Sequence, residues 1–477
     1  MTLPLSRIFV QTGIRYAADP TREQAETLSQ WIGCARVVWN AKCDEDRYLR
    51  TFARKYLPVN TYVTPDKAYS QYKTDLTPWL KACPSQILRN SATIWHRTYQ
   101  KFFRKECGRP VRKKKQKGNY IWLTRELFDL KPVDGRWELF VGTKKTNIGV
   151  LNVKWHQKPR TDQLPNSIWI RVSNGRWSVS FSYDDGQFES DLNSPAEHLA
   201  WLKDCTAEQL ATLITPLDRG VARPVQTHDT TYTFDAKALR KQANREKYLK
   251  RCQRKLSRQK KHSNRWKQTK RRIGTLHSDT ANVRTNFLHH TSRDIVDHAK
   301  VIVLENLKVK NLSKRARARQ CSDTGKWQKN GASAKSGLNR KLLGVGLSRL
   351  EEFILYKAYK QNKPVFKINP ANTSRECALC TYTHPDNRLS QAVFRCKRCG
   401  HSDNADRNAA LVIRRRAIQL ILHSGTELVG ARNNVLRPGT DANSCKTGEA
   451  KAEPAASCPS KKNAALLAGS LGSLDPR

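Results

Sequence analysis

Two cysteine pairs constrain this chain more than any other feature in it. Cys377 and Cys380 make one C-x-x-C, and Cys396 and Cys399 make a second after an interval of 15 residues. Each pair closes a tight knuckle that points two thiolates at one place. Two such knuckles complete a tetrahedral site for one Zn²⁺ per chain. Four protein ligands leave no open position, so this zinc is expected to be structural rather than catalytic. Four unrelated reduced thiols, or a redox C-x-x-C, fit the spacing less well. A variant that uses His384 or His401 stays open at this point. The total of 13 cysteines is odd and scattered. The opening residues, MTLPLSRIFVQTG, contain no apolar stretch of the kind a cleaved signal carries. Metal binding plus free thiols is therefore expected, not a disulfide framework.

Against 88 Lys and Arg stand only 41 Asp and Glu, a formal net charge of +47. In so basic a chain, isolated acids stand out. Asp218 ends an apolar run just before a glycine turn (LITPLDRG). Glu305 follows the four apolar residues of a short strand (VIVLENL). Asp406 opens a helix right after the second cysteine pair (DNADRNAA). Carboxylates at strand ends and a helix start can converge at the edge of an α/β sheet, where three of them hold two divalent ions about 4 Å apart. Oxygen-only ligands suit Mg²⁺ or Mn²⁺. Taken singly, each acid is as well explained as a cap or as a partner for a nearby Arg. Asp403, about one helical turn before Asp406, competes for the same role.

The charge itself predicts a polyanionic partner, because a free folded monomer this basic repels itself. Nucleic acid is the natural candidate. A membrane surface is the weaker alternative, and no membrane partner is expected; no run of 18 apolar residues occurs, so no transmembrane helix is expected either. Apolar residues make up 38% of the chain, enough for real cores. Apolar spacing over 5–14 suggests strands. Thr21 with Gln24 forms a candidate capping box ahead of a helix whose stripe is Ala25, Leu28, Ile32, Ala35, Val38 and Trp39. The basic block 104–117 reads as a loop, solvated or against phosphate. From 119 to 185 the pattern alternates at period two, as in an antiparallel sheet or small barrel, and 1–19 is expected to join it. Tyr120, Trp122, Trp137, Trp169 and Trp177 on that sheet are core residues or stacking platforms for bases. From about 210 the pattern is α/β. A single helical region is expected over 237–300. Its part from Lys237 to Arg272 holds 17 Lys and Arg against one acid, Glu246, which favours phosphate contact. Residues 312–337 read as a mobile loop, Leu342–Tyr359 as one helix, and 301–307 as a buried parallel strand.

The order acid, acid, cysteine pairs, acid resembles the RuvC-type nuclease of the transposon-encoded TnpB family, relatives of the compact type V CRISPR effectors. PLDRGV resembles the first RuvC motif, VLENLKVKNL the second, and ADRNAALVI the third, D-x-N-A-A, which selects Asp406 over Asp403. KSGLNRKLL, LYKAY, NPANTSRECALC, CQRKLSRQKK and TREQAETLSQWIGCARVVWN also resemble the family, so the likeness spans about 5–425. One departure is Pro216, where the first motif usually has glycine.

The resemblance implies a multidomain α/β plus β-barrel protein. A wedge-type, oligonucleotide-binding-like barrel (1–19 and 118–200) would be interrupted by an inserted helical recognition domain (20–117). An RNase H-like RuvC nuclease domain (201–425) would carry the four-cysteine zinc module at about 370–402, and a disordered tail (426–477) would follow. It further implies a prokaryotic, cytoplasmic, nucleoid-associated protein, monomer or dimer. Its partners would be a transposon-end guide RNA and target double-stranded DNA recognised beside a short motif. Both strands would be cut with Mg²⁺ or Mn²⁺ held by Asp218, Glu305 and Asp406. A guide–target duplex of about 20 base pairs carries roughly 40 phosphates, which suits the net charge. Three other readings are a nuclease-silent guided repressor, a transposase, and a type V CRISPR effector proper.

Overall fold

A computed structural model of the chain describes residues 9–58, 65–115, 119–160, 163–188, 192–322 and 324–423, with the backbone of 428–431 and 435–438. Two compact units result, one formed by 1–191 with 248–277 and one by 192–247 with 278–477. Among the described residues, no helix is long and apolar enough to cross a membrane.

The first unit runs β1 (Phe9–Ala18), α1 (Arg22–Tyr56), α2 (Pro78–Lys81), α3 (Ser85–Phe103), β2 (Tyr120–Thr124), β3 (Phe128–Val133), β4 (Arg136–Gly142), β5 (Asn147–Leu151), β6 (Val153–Lys154), β7 (Ser167–Ser173) and β8 (Arg176–Phe188). The capping box forms: the Thr21 N–H donates to Gln24 Oε1 at 3.1 Å, and the Gln24 N–H donates to Thr21 Oγ1 at 3.3 Å. Leu28, Ile32, Ala35, Val38 and Trp39 on α1 are buried. β1 pairs antiparallel with β8 and β6 in a five-stranded sheet of order β2-β7-β8-β1-β6, and β3-β4-β5 make a second sheet. Alternation decides the faces. Ile121, Leu123, Ile168, Ile170, Val179 and Phe181 point into one core with Leu88 and Ala92 of α3. Trp122 and Trp169, on the other face, are register partners stacked at 5.9 Å, with the Arg97 guanidinium 5.0 Å from the Trp122 ring.

The basic block departs from a plain solvated loop. The Trp39 indole N–H donates to Val111 O at 2.9 Å, the Lys113 N–H donates to Asn40 Oδ1 at 2.7 Å, and Arg109 bonds the buried Asp46 carboxylate at 2.8 Å. The Lys113 ammonium lies 3.5 Å from the Trp39 ring centre, and burial pushes its pKa down to about 8. Polar groups on α1 and cation–π contact hold the segment where its own sequence offers no core.

The second unit begins with α4 (Pro195–Lys203), α5 (Ala207–Leu213), β9 (Ile214–Leu217), β10 (Val225–Gln226) and β11 (Thr231–Tyr232). Then come α6 (Ala236–Arg258) and α7 (Asn264–His298), whose adjoining ends, 248–277, group with the first unit. The expected single helical region is thus broken, with His262 in the break at φ +69°. The rest is β12 (Val301–Glu305), α8 (Val309–Leu312), β13 (Arg319–Gln320), β14 (Trp327–Gln328), α9 (Ala332–Val345), α10 (Leu347–Lys360), β15 (Val365–Ile368), β16 (Val393–Arg395), β17 (Ser402–Asn404), α11 (Ala405–His423), β18 (Leu428–Ala431) and β19 (Val435–Pro438). The stretch read as a mobile loop therefore contains the ribbon β13–β14 and the start of α9. Gly346, at φ +81°, divides the expected single helix into α9 and α10.

The main sheet has the order β18-β19-β15-β12-β9, with β9, β12, β15 and β19 parallel. Every residue of β12 is buried, because helices cover both faces. Ile302 and Leu304 pack with Ile295 of α7 and Ile354 of α10, while Val301 and Val303 pack with Ile413 and Ala417 of α11. Pro216 is accommodated because β9 pairs with β12 alone in this sheet and is an edge strand that can forgo one ladder donor. The tail expectation needs correction over 428–431 and 435–438, where β18 and β19 extend the sheet. The two strands, LVGA and VLRP, pair antiparallel with each other. Residues 1–8 and 439–477, on which the start and most of the tail were read, lie outside the described residues.

Candidate functional site

The four paired cysteines converge. Their Sγ atoms all lie within 4.8 Å of one another, with Cys377 to Cys399 at 3.7 Å and Cys380 to Cys396 at 3.4 Å. A tetrahedral Zn²⁺ with bonds of about 2.3 Å sets its sulfurs about 3.8 Å apart, so the donor set fits the ion. The knuckles are built alike. The residue after each pair, Thr381 or Gly400, sits at positive φ and donates its N–H to the first cysteine's carbonyl, at 3.1 Å in both cases. Burial alone would raise the Cys396 thiol, but the N–H groups of Cys399 and Arg398 outweigh it and bring the pKa down to about 7. Neither histidine belongs to the group: His384 Nδ1 accepts from the Asp386 N–H at 3.2 Å, and His401 contributes its backbone carbonyl to Cys396. Fully buried Asn387 ties the knuckles together. It donates to Tyr382 O at 3.0 Å and accepts from the Lys397 N–H at 3.0 Å.

The acids gather at the carboxyl edge of the parallel sheet, the usual ligand-binding edge of an open α/β sheet. Leu217 and Leu304 are register partners, so Asp218 and Glu305, one residue further on, leave adjacent strands side by side. Asp406 comes from the first turn of α11, which packs on β9. Its N–H donates to Asn404 Oδ1 at 3.1 Å. Gly220 makes the turn after Asp218. A Cβ there would meet Arg223 O at 2.9 Å.

Glu305 is 5% exposed and Asp406 8%, while Asp218 is only partly covered. Burial, then the charges of Glu305 and Asp406, push the Asp218 carboxyl up to about 7. Burial likewise raises Glu305, against the Thr373 hydroxyl, which donates to its Oε1 at 2.6 Å. Arg388 bonds Asp406 Oδ1 at 3.1 Å, and Arg223 lies 3.8 Å from Oδ2. Asp403 faces Arg407 at 3.5 Å.

Three oxygen donors that repel one another suit a divalent cation. A cation held there would compete with the proton for Asp218. Its pKa is raised on folding, so the ion-free protein loses stability as pH rises from the ordinary carboxylate range through about 7. Cation affinity runs the other way. Mn²⁺ affinity measured by electron paramagnetic resonance is expected to fall up to about tenfold per pH unit below 7. A flat profile from pH 5.5 to 7.5 would contradict the clustering.

Sequence reasoning missed the partners of the acids. Thr373 was in view inside NPANTSREC, but nothing tied it to Glu305. Arg388 lies in the interval between the cysteine pairs, one Arg among many.

Three family models match: "Cas12f1-like, TNB domain" over residues 348–413, "Probable transposase" over 211–316, and "Helix-turn-helix domain" over 10–42. In this chain the last span holds β1 and part of α1, a strand and one helix. The chain is 31% identical over 401 residues to the "Putative RNA-guided DNA endonuclease InsQ" of Escherichia coli (strain K12), covering 83% of this chain and 90% of that protein. It is 26% identical over 318 residues to a protein of Streptomyces pristinaespiralis described as a "Putative RNA-guided DNA endonuclease", covering 66% of this chain and 71% of that one. Its fold is similar to that in the cryo-EM structure of a Cas12f1–sgRNA–target DNA complex, with TM-score 0.50 at 13% identity over 83% of both chains.

Proposed function

The chain belongs to the TnpB-like family of RNA-guided endonucleases and compact Cas12 relatives, and on that premise we propose that it is an RNA-guided, Mg²⁺-dependent DNA endonuclease. The observation that carries the proposal is the meeting of Asp218, Glu305 and Asp406 at one sheet edge, each acid from a different element. In this reading the three carboxylates hold two divalent ions. When bound, such ions would supply Lewis-acid activation of a water and stabilisation of the leaving oxygen of a phosphodiester. Thr373 keeps Glu305 aimed at the site through its O–H donor, and Arg388 fixes the rotamer of Asp406. No protein nucleophile is required.

The five-stranded and three-stranded sheets would serve as the wedge, in the manner of an oligonucleotide-binding barrel, and α1 and α3 would lie in the recognition domain. Together they would read the motif beside the target. The guide RNA, derived from the transposon end, would supply sequence specificity by pairing. The protein would then mostly hold backbones, in keeping with the net charge of +47.

Expression with the native flanking DNA, followed by purification and sequencing of the bound nucleic acid, tests this directly. A discrete RNA with a constant scaffold and a variable end is expected, and it should direct Mg²⁺-dependent cutting of a matched duplex. Random RNA, or a matched duplex left intact, would overturn the proposal.

A further inference from the structure

Linked to the acids is a chain of charges, two of them buried and one partly covered, that the ion-binding scheme does not use. Arg219 directly follows Asp218, and its side chain is 0% exposed. Its Nη2 donates to the backbone carbonyl of Glu305 at 2.6 Å. Its Nη1 donates to Glu351 Oε2, on α10, at 2.7 Å. The other oxygen of Glu351 meets the Lys367 ammonium. Lys367 is on β15, opposite Leu304 in the register, and its side chain is 6% exposed.

We propose that Arg219, Glu351 and Lys367 are positioning residues that set the spacing of the Asp218 and Glu305 carboxylates for divalent-ion binding. This inference rests on the reading of those acids as ion ligands. The guanidinium joins the residue beside one acid to the backbone of the other, across the gap between β9 and β12. Glu351 fixes the guanidinium, and Lys367 fixes Glu351. Stability alone is a poor reason for such a chain. Burying ions costs several kcal/mol each, and apolar replacements of buried ion pairs are often neutral or stabilising. Apolar packing lacks direction, whereas a planar guanidinium with two charge-assisted bonds holds its partners at defined angles.

The test uses full-length protein with its co-purified RNA. Mn²⁺ binding to ion-stripped samples is followed by electron paramagnetic resonance, and the Mg²⁺ midpoint and maximal rate of cleavage are measured separately. Glu351→Ala is expected to weaken Mn²⁺ binding and raise the Mg²⁺ midpoint by about tenfold or more, the size usual for lost outer-shell partners. Affinity of the guide-loaded protein for matched DNA should stay within about twofold. Glu351→Gln keeps an acceptor for Arg219 and should recover most of the loss. If Glu351→Ala does not fold, Lys367→Met serves in its place with the same expected shift. A lowered melting temperature with unchanged Mn²⁺ affinity would make the chain merely structural and overturn the inference. Asp406→Ala is the control. If it too leaves Mn²⁺ binding unchanged, the acidic-site reading itself fails, and this inference with it. If Asp406→Ala abolishes binding while Glu351→Ala does nothing, only the inference falls.

Discussion

Asp406→Ala is expected to leave guide-loaded protein bound to matched duplex while slowing its cleavage at least roughly a thousandfold. Asp406 is the member of the triad best suited to the test. It sits in the first turn of α11, so alanine there keeps the helix and leaves the parallel sheet unaltered. What is lost is one of three carboxylates, and with it the local negative charge that attracts the cations. Removing that charge also relieves part of the repulsion that raises Asp218, while leaving Arg388 without its carboxylate partner. Asp403→Ala provides the contrast. Its carboxylate is taken up by Arg407 and by the Asn404 N–H at 2.7 Å, so cutting should change by less than about threefold, as for a peripheral ion pair. Full cutting by Asp406→Ala, or equal losses from the two variants, would remove Asp406 from the proposed site.

Loss of zinc should be as damaging by another route. Metal analysis is expected to find about one zinc per chain, and Cys396→Ser or exhaustive chelation should abolish cleavage. Structural zinc commonly contributes on the order of 10 kcal/mol to folding a small module, far more than the module's few buried apolar residues supply. Those residues are chiefly Phe394 and Ala405, against the cysteines themselves. The damage reaches the acids through named contacts. Arg388, from the interval between the pairs, holds Asp406. Asn408, two residues further along α11, donates to Glu376 O at 2.8 Å and accepts from the Ala378 N–H at 3.0 Å, riveting the first knuckle to the same helix. Hydrogen exchange should show 375–404 losing protection on chelation, while the core of the first unit, built around Leu28, Ile170 and Phe181, keeps its own. Folded, fully active protein without zinc would overturn the four-cysteine assignment.

Local chemistry made much of this legible in the sequence. Two C-x-x-C pairs can each close into a knuckle, and their interval matched a single ion better than it matched redox pairs. VIVLE, short, rich in β-branched residues and with no polar residue before its last position, favoured a strand buried on both faces. Thr21 and Gln24 announced the start of α1 because a capping box is satisfied within four residues. The RuvC motifs led to Asp218, Glu305 and Asp406, which the fold brings to one edge.

The sequence was less informative where long-range contacts compete with local preference. Residues 109–113 look like a solvated basic loop until Trp39, Asn40 and Asp46 are placed beneath them. The helix break at 259–263 and the division at Gly346 need positive φ and a packing partner, neither of which composition reports. Pro216 seems a flaw in a parallel strand until β9 is found at an edge. Period, capping and ligand spacing are short-range properties, and by themselves they determined which residues form strands, helix starts and metal knuckles. Which charges meet was decided only by the tertiary structure, because Arg219, Glu351, Lys367 and Arg388 gain their partners across separations from 16 to 132 residues.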